Sequence, residues 1–105
     1  MYLPPAEIEK LLLQNAGRLV IIDEAYIDFG GRSCAPLVTK YPNLIVVQTL
    51  SKSRSLAGAR VGLCFADKAL ISAVEAVRCS CTPYNVNSAR MDAACAAPGD
   101  GAYVK

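Results

Sequence analysis

Two apolar runs, each ending in polar and ionisable residues, decide how this chain folds: Leu19-Val20-Ile21-Ile22-Asp23-Glu24-Ala25-Tyr26 and Leu44-Ile45-Val46-Val47-Gln48-Thr49-Leu50-Ser51-Lys52-Ser53-Arg54. The stretch 18–22 and the stretch 44–48 are rich in β-branched residues and show no polar alternation, the pattern of strands buried on both faces. A third candidate strand, 59–66, follows a polar Ser- and Arg-containing loop and is weakened by Gly62.

Helical signals flank these runs. Pro4 and Pro5 suit a first helical turn, Glu7 and Glu9 suit the positive end of the helix dipole, and Ile8, Leu11 and Leu12 form an apolar stripe that Asn15 and Gly17 bring to a stop. Residues 35–40 have room for a short helical turn before Tyr41-Pro42-Asn43 redirects the chain. Asp67 can cap a helix whose Leu70, Ile71, Val74 and Val77 recur at helical spacing, and residues 79–84 read as a connector. An Ala-rich helix over 87–97 then ends at Pro98-Gly99. Strands alternating with helices and loops predict an α/β chain: a mostly parallel sheet with flanking helices.

Composition bounds the function. The 105 residues, 53% hydrophobic and 19% charged, suffice for one modest core, which at this size buries roughly 60–70% of the unfolded chain's surface. Eleven basic against nine acidic residues, without a cluster of either sign, do not make a nucleic-acid footprint. No apolar run approaches the roughly 20 residues that cross a bilayer, and no secretory leader is visible. Five scattered cysteines lack a Cys-x-x-Cys spacing and point to reduced, mostly buried thiols of a cytoplasmic protein. The absence of histidine removes His-based acid–base chemistry, His zinc sites and Ser-His-Asp triads.

Ligands of open α/β sheets bind at the carboxyl ends of strands, which is where Asp23-Glu24-Ala25-Tyr26 and Ser51-Lys52-Ser53-Arg54 fall. Alone, each segment is open to several readings. The acidic pair could be a Walker B element of an ATPase, although the chain has no Gly-x4-Gly-Lys-Ser/Thr loop to accompany it, or it could be a solvated loop. Together, a carboxylate, a phenol, a lysine flanked by hydroxyls and an arginine complement pyridoxal 5'-phosphate. That cofactor needs an amine for its aldehyde, a carboxylate for its ring nitrogen, and hydroxyl and guanidinium donors for its phosphate.

The segments 20–29, 41–53 and 55–62, with Pro83-Tyr84-Asn85-Val86-Asn87, resemble the histidinol-phosphate aminotransferases, which are fold-type I pyridoxal-phosphate enzymes. The resemblance runs through nearly the whole chain. It implies that Lys52 condenses with the cofactor and later moves the proton between substrate and cofactor carbons. It implies further that Asp23 pairs with the pyridinium nitrogen, Tyr26 with the 3-oxygen, and Ser51 and Arg60 with the phosphate. The implied reaction exchanges the amino group between histidinol phosphate and 2-oxoglutarate/glutamate, in a cytoplasmic homo-oligomer that binds neither nucleic acid nor membrane.

Members of that family are several times longer, so residues 1–105 are expected to be a partial cofactor-binding large domain. The cofactor-packing asparagine, the Gly/Ser phosphate loop, the ring-stacking aromatic and the small C-terminal domain would lie outside it. The resemblance also implies an antiparallel third strand set between two strands absent here. The expectation is then a catalytically dead piece that self-associates, swaps elements or repacks this strand. Asp28, Arg32 and the cysteines are read as structural or solvated, and Ser53 and Arg54 are left without a role.

Overall fold

The computed structural model describes residues 2–83 and 86–99. Helix α1 (Pro5–Gln14) leads through a turn into strand β1 (Val20–Asp23). Short 3-10 turns at Ile27–Phe29 and Ala35–Thr39 carry the chain to β2 (Leu44–Thr49). A further 3-10 turn, Ala57–Ala59, precedes β3 (Gly62–Ala66), and helices α2 (Lys68–Cys81) and α3 (Ser88–Ala96) follow. The three strands form one mixed sheet in the order β1-β2-β3. β1 runs parallel to β2, pairing Val20 with Leu44 and Asp23 with Val47, and β3 runs antiparallel to β2, pairing Thr49 with Gly62.

The principal core lies on one face of this sheet. Ile8 and Leu12 of α1 pack with Val20, Leu44, Val46 and Cys34, and Ile22, Leu37, Tyr41 and Phe65 close around them. The i, i+4 spacing of Ile8 and Leu12 puts both on one side of α1, so a ten-residue helix is held by its contacts rather than by propensity. On the loop side of the molecule, Leu50, Val61 and Ala94 form a second, smaller cluster that fastens α3 to the segment between β2 and β3.

Several expectations need correction. β1 starts at Val20, not Arg18, because residues 15–18 form a turn: the Arg18 N–H donates to Asn15 O at 2.9 Å, and the Asn43 side-chain amide donates to Asn15 O and Arg18 O. Nor is β1 buried on both faces: Val20 is buried while Ile21 is 59% exposed, the alternation of a strand covered on one side only. β2 meets the expectation, with Leu44, Ile45 and Val46 all buried. β3 begins at Gly62 instead of Ala59, since the 3-10 turn and a left-handed Arg60 occupy the residues before it. This third strand has not lost both neighbours, for β2 itself is one of them. The chain is the expected α/β sheet with flanking helices, two of its three strands parallel and the third antiparallel.

Helix α2 outlasts the predicted connector at Cys79 and reaches Cys81. No breaker intervenes until Pro83, and Thr82 just before it has left the helical region, at φ -148° and ψ 70°. Tyr84 and Asn85, the rest of that connector and part of the motif 83–87, lie outside the described residues. Of the five cysteines only Cys34 is buried; Cys64, Cys79, Cys81 and Cys95 are exposed. Cys64 sits on the edge strand β3, and α2, which carries Cys79 and Cys81, has no buried residue. Among the described residues no helix is long and apolar enough to cross a membrane.

Candidate active site

The parallel pairing of β1 and β2 brings their carboxyl ends to the same edge of the sheet, and the candidate residues follow from there. Asp23 is the last residue of β1. Its Oδ1 accepts the Ala25 N–H at 2.9 Å, a local turn that leaves the rest of the carboxylate open to solvent. Three residues on, Tyr26 is 65% exposed and contacts Phe29, ring centroids 6.1 Å apart.

Across the edge, Ser51 leaves β2 with its N–H donating to Thr49 Oγ1 at 3.1 Å. Lys52 comes next, and its Nζ stands 5.4 Å from the centroid of the Tyr26 ring, over the ring face. That is cation–π range. Among the described residues Lys52 makes no ion pair with a carboxylate. An amine without a neutralising partner, an exposed phenol and a carboxylate with an open oxygen thus share one strand-end surface.

Arg60 adopts φ 55°, ψ 42°, in the left-handed region, and its Nη1 donates to Ala57 O at 3.3 Å. Among the described residues no hydrogen bond ties Arg60 to Ser51 or Lys52. The structure thus sets Lys52 against Tyr26, three residues past Asp23, and leaves Arg60 exposed on the neighbouring turn.

An open groove of about 580 Å³ lies beside β1, lined by Ile8, Ile21, Asp23, Tyr26 and Phe29 among others. Lys52, Ser51 and Arg60 do not line it. It therefore borders the candidate site through Asp23 and Tyr26 but does not contain it.

Sequence reasoning missed the polar cluster directly beneath this surface. Glu24, only 6% exposed, accepts Ser33 Oγ–H at 2.6 Å, the Cys34 N–H at 2.7 Å and the Gln48 side-chain amide at 2.8 Å. Burial alone would raise its pKa, but these donors outweigh that and hold the carboxyl below its ordinary range. A Walker B glutamate must be available to orient a water, whereas Glu24 is engaged on three sides. Burial, reinforced by the nearby Glu24 carboxylate, pushes the Cys34 thiol up to about 12. The Ser33 and Gln48 partners lie 9 and 24 residues away, beyond any local pattern. No local signal marks it, since Glu24 stands between Asp23 and Ala25 as a solvated loop acid would.

The amine, carboxylate and phenol suit an aldehyde-bearing aromatic cofactor. Over 101 residues, 96% of its length, the chain is 52% identical to histidinol-phosphate aminotransferase 1 of Hydrogenovibrio crunogenus, of which it covers 28%. It is likewise 52% identical over 101 residues to histidinol-phosphate aminotransferase 2 of Rhizobium meliloti, covering 29% of that protein. With histidinol-phosphate aminotransferase 1 of Methylococcus capsulatus it shares 57% identity over 82 residues, 78% of this chain and 23% of the relative. The chain thus spans less than a third of the length of these curated relatives. The profile of the family described as aminotransferase class I and II matches residues 1–102, and the chain belongs to that family.

Proposed function

We propose that this chain forms the lysine-bearing part of a pyridoxal-phosphate site in an enzyme that transaminates histidinol phosphate with 2-oxoglutarate/glutamate, a step of histidine biosynthesis. The observation that carries the reading is the placement of Lys52 Nζ over Tyr26, three residues past Asp23, at adjacent parallel strand ends. Lys52 Nζ would anchor the cofactor and take and return the proton of the substrate's α-carbon. Asp23, with an oxygen still free, would keep the ring nitrogen protonated. Tyr26 Oη would donate to the 3-oxygen, while the Ser51 hydroxyl and the Arg60 fork would hold the phosphate. When bound, the cofactor supplies the electron sink that makes the substrate's α-proton removable. Substrate is a small amino compound, and the partner is a second copy of the whole protein.

The test is reductive trapping. The chain is mixed with pyridoxal phosphate, treated with borohydride and digested, and the modified lysines are located by mass spectrometry. The chain has five lysines, Lys10, Lys40, Lys52, Lys68 and Lys105. Modification is expected to concentrate on Lys52 and to fall at that site in Asp23→Ala; an even spread over the five defeats the reading.

A second reading, that the 105 residues alone self-associate without turnover, is favoured by the open side of β1. Ile21, Tyr26 and Phe29 there are each more than half exposed beside a strand that, among the described residues, pairs with β2 alone. Transaminase turnover by the chain alone sinks this second reading, as does a monomer at every concentration in light scattering.

A further inference from the structure

Immediately after Lys52 the chain is fastened twice to the loop that bears Tyr26. Asp28 Oδ2 accepts a hydrogen bond from Ser53 Oγ–H and another, at 3.2 Å, from Arg54 Nε. The same Arg54, its side chain 17% exposed, sends Nη1 to Ala97 O at 2.8 Å, reaching the end of α3. The Lys52 turn also closes on itself. Ser55 N–H donates to Lys52 O at 3.1 Å and Leu56 N–H donates to Leu50 O at 2.9 Å, with Ser55 held at φ 51°.

A lysine side chain has four rotatable bonds and cannot by itself keep its amine in one place. What fixes the site is the backbone from which Lys52 departs. That backbone is anchored through Ser53 and Arg54 to Asp28, two residues beyond Tyr26. We infer that Asp28 is a positioning residue: its carboxylate clamps the turn after β2 to the loop after β1, so that Lys52 Nζ is held over the Tyr26 ring. The inference rests on the proposed function, in which that placement matters. The Ser53 hydrogen bond, with Arg54 adding charge, holds the Asp28 carboxyl below its ordinary range despite partial burial, so the clamp is ionised at neutral pH. Carboxylate-to-guanidinium and hydroxyl-to-carboxylate bonds are among the stronger ones available.

The experiment compares wild type with Asp28→Asn, Ser53→Ala and Ser53→Thr in the 105-residue chain. Two quantities are read: the nuclear Overhauser contact between the Lys52 ε-methylene and the Tyr26 ring, without cofactor, and the ratio of borohydride-trapped pyridoxal phosphate at Lys52 to that at Lys68. Asp28→Asn and Ser53→Ala are expected to lose the contact and lower the ratio about fivefold, as reactive groups do when they are no longer held in place. Ser53→Thr, which keeps the hydroxyl, is expected to restore both to within about twofold of wild type. A contact and ratio unchanged in Asp28→Asn and Ser53→Ala, whatever their melting temperatures, overturn the positioning role. If Asp28→Asn does not fold, the Ser53 pair decides the matter. If wild type shows the contact but no preference for Lys52 in trapping, the proposed function fails, and the clamp is judged on the contact alone.

Discussion

The Gln48 side-chain amide donates to Glu24 Oε2 at 2.8 Å, joining the end of β2 to the first residue beyond β1. Together with the Ser33 hydroxyl and the Cys34 N–H, it makes Glu24 the hub on which the Asp23–Tyr26 loop is built. Removing the hub strands three donors, one of them on buried Cys34. Glu24→Ala is therefore expected to destabilise the chain by about 3 kcal/mol, and Glu24→Gln, which keeps one acceptor, by about half of that. Urea unfolding monitored by circular dichroism measures both; a loss below about 0.5 kcal/mol in Glu24→Ala means the hub is not structural.

The same carboxylate sets an acid limit. Glu24 and Asp28 both titrate below their ordinary values of 4.5 and 3.8, so the unfolded chain binds protons more readily than the folded one. Their contribution to stability is fully present above those ordinary values and is lost as the pH falls through the depressed, folded ones. The urea midpoint should hold steady from pH 7 to about 5 and then drop. Glu24→Gln combined with Asp28→Asn should start lower but fall less steeply; an equal slope in wild type and the double variant contradicts this assignment.

Cys34 is fully buried, and its thiol is pushed up to about 12, whereas the other four cysteines are exposed. Only thiolates react quickly with aromatic disulfide reagents. At pH 8 four thiols should react at once and Cys34 at least about a hundredfold more slowly, at the rate at which the structure opens. Five equally fast thiols would mean that the α1–β2 core is not closed around Cys34.

Much of this architecture was legible because it depends on neighbours in sequence. The stripe of Ile8 and Leu12, the apolar run of β2, and the cap at Asp67, whose side chain accepts from Ala69 N–H, all obey local rules. So does the approach of Lys52 to the Tyr26 loop, once two strands of the right length run parallel. What escaped depends on distance along the chain. The Glu24 and Asp28 networks close over separations of up to 26 residues, and nothing near either carboxylate distinguishes a clamp from a solvated loop. The exposure of Ile21 escaped for a related reason: β-branched content signals a strand but not how many layers cover it.

The last prediction separates the backbone role of Arg60 from its side-chain role. Its φ of 55° places a residue bearing a Cβ where glycine alone sits without penalty, at a cost of about 1 kcal/mol. Among the described residues its side chain is tethered by the 3.3 Å bond to Ala57 O. Arg60→Gly should therefore unfold at an equal or slightly higher urea concentration than wild type, and Arg60→Ala at about the same one. If the guanidinium holds the cofactor's phosphate, wild type should trap pyridoxal phosphate at Lys52 about tenfold better than pyridoxal, which lacks that group. Both variants should erase most of the preference while remaining folded. Retention of the full preference in Arg60→Gly would assign the phosphate to other residues and leave Arg60 as a strained turn position alone.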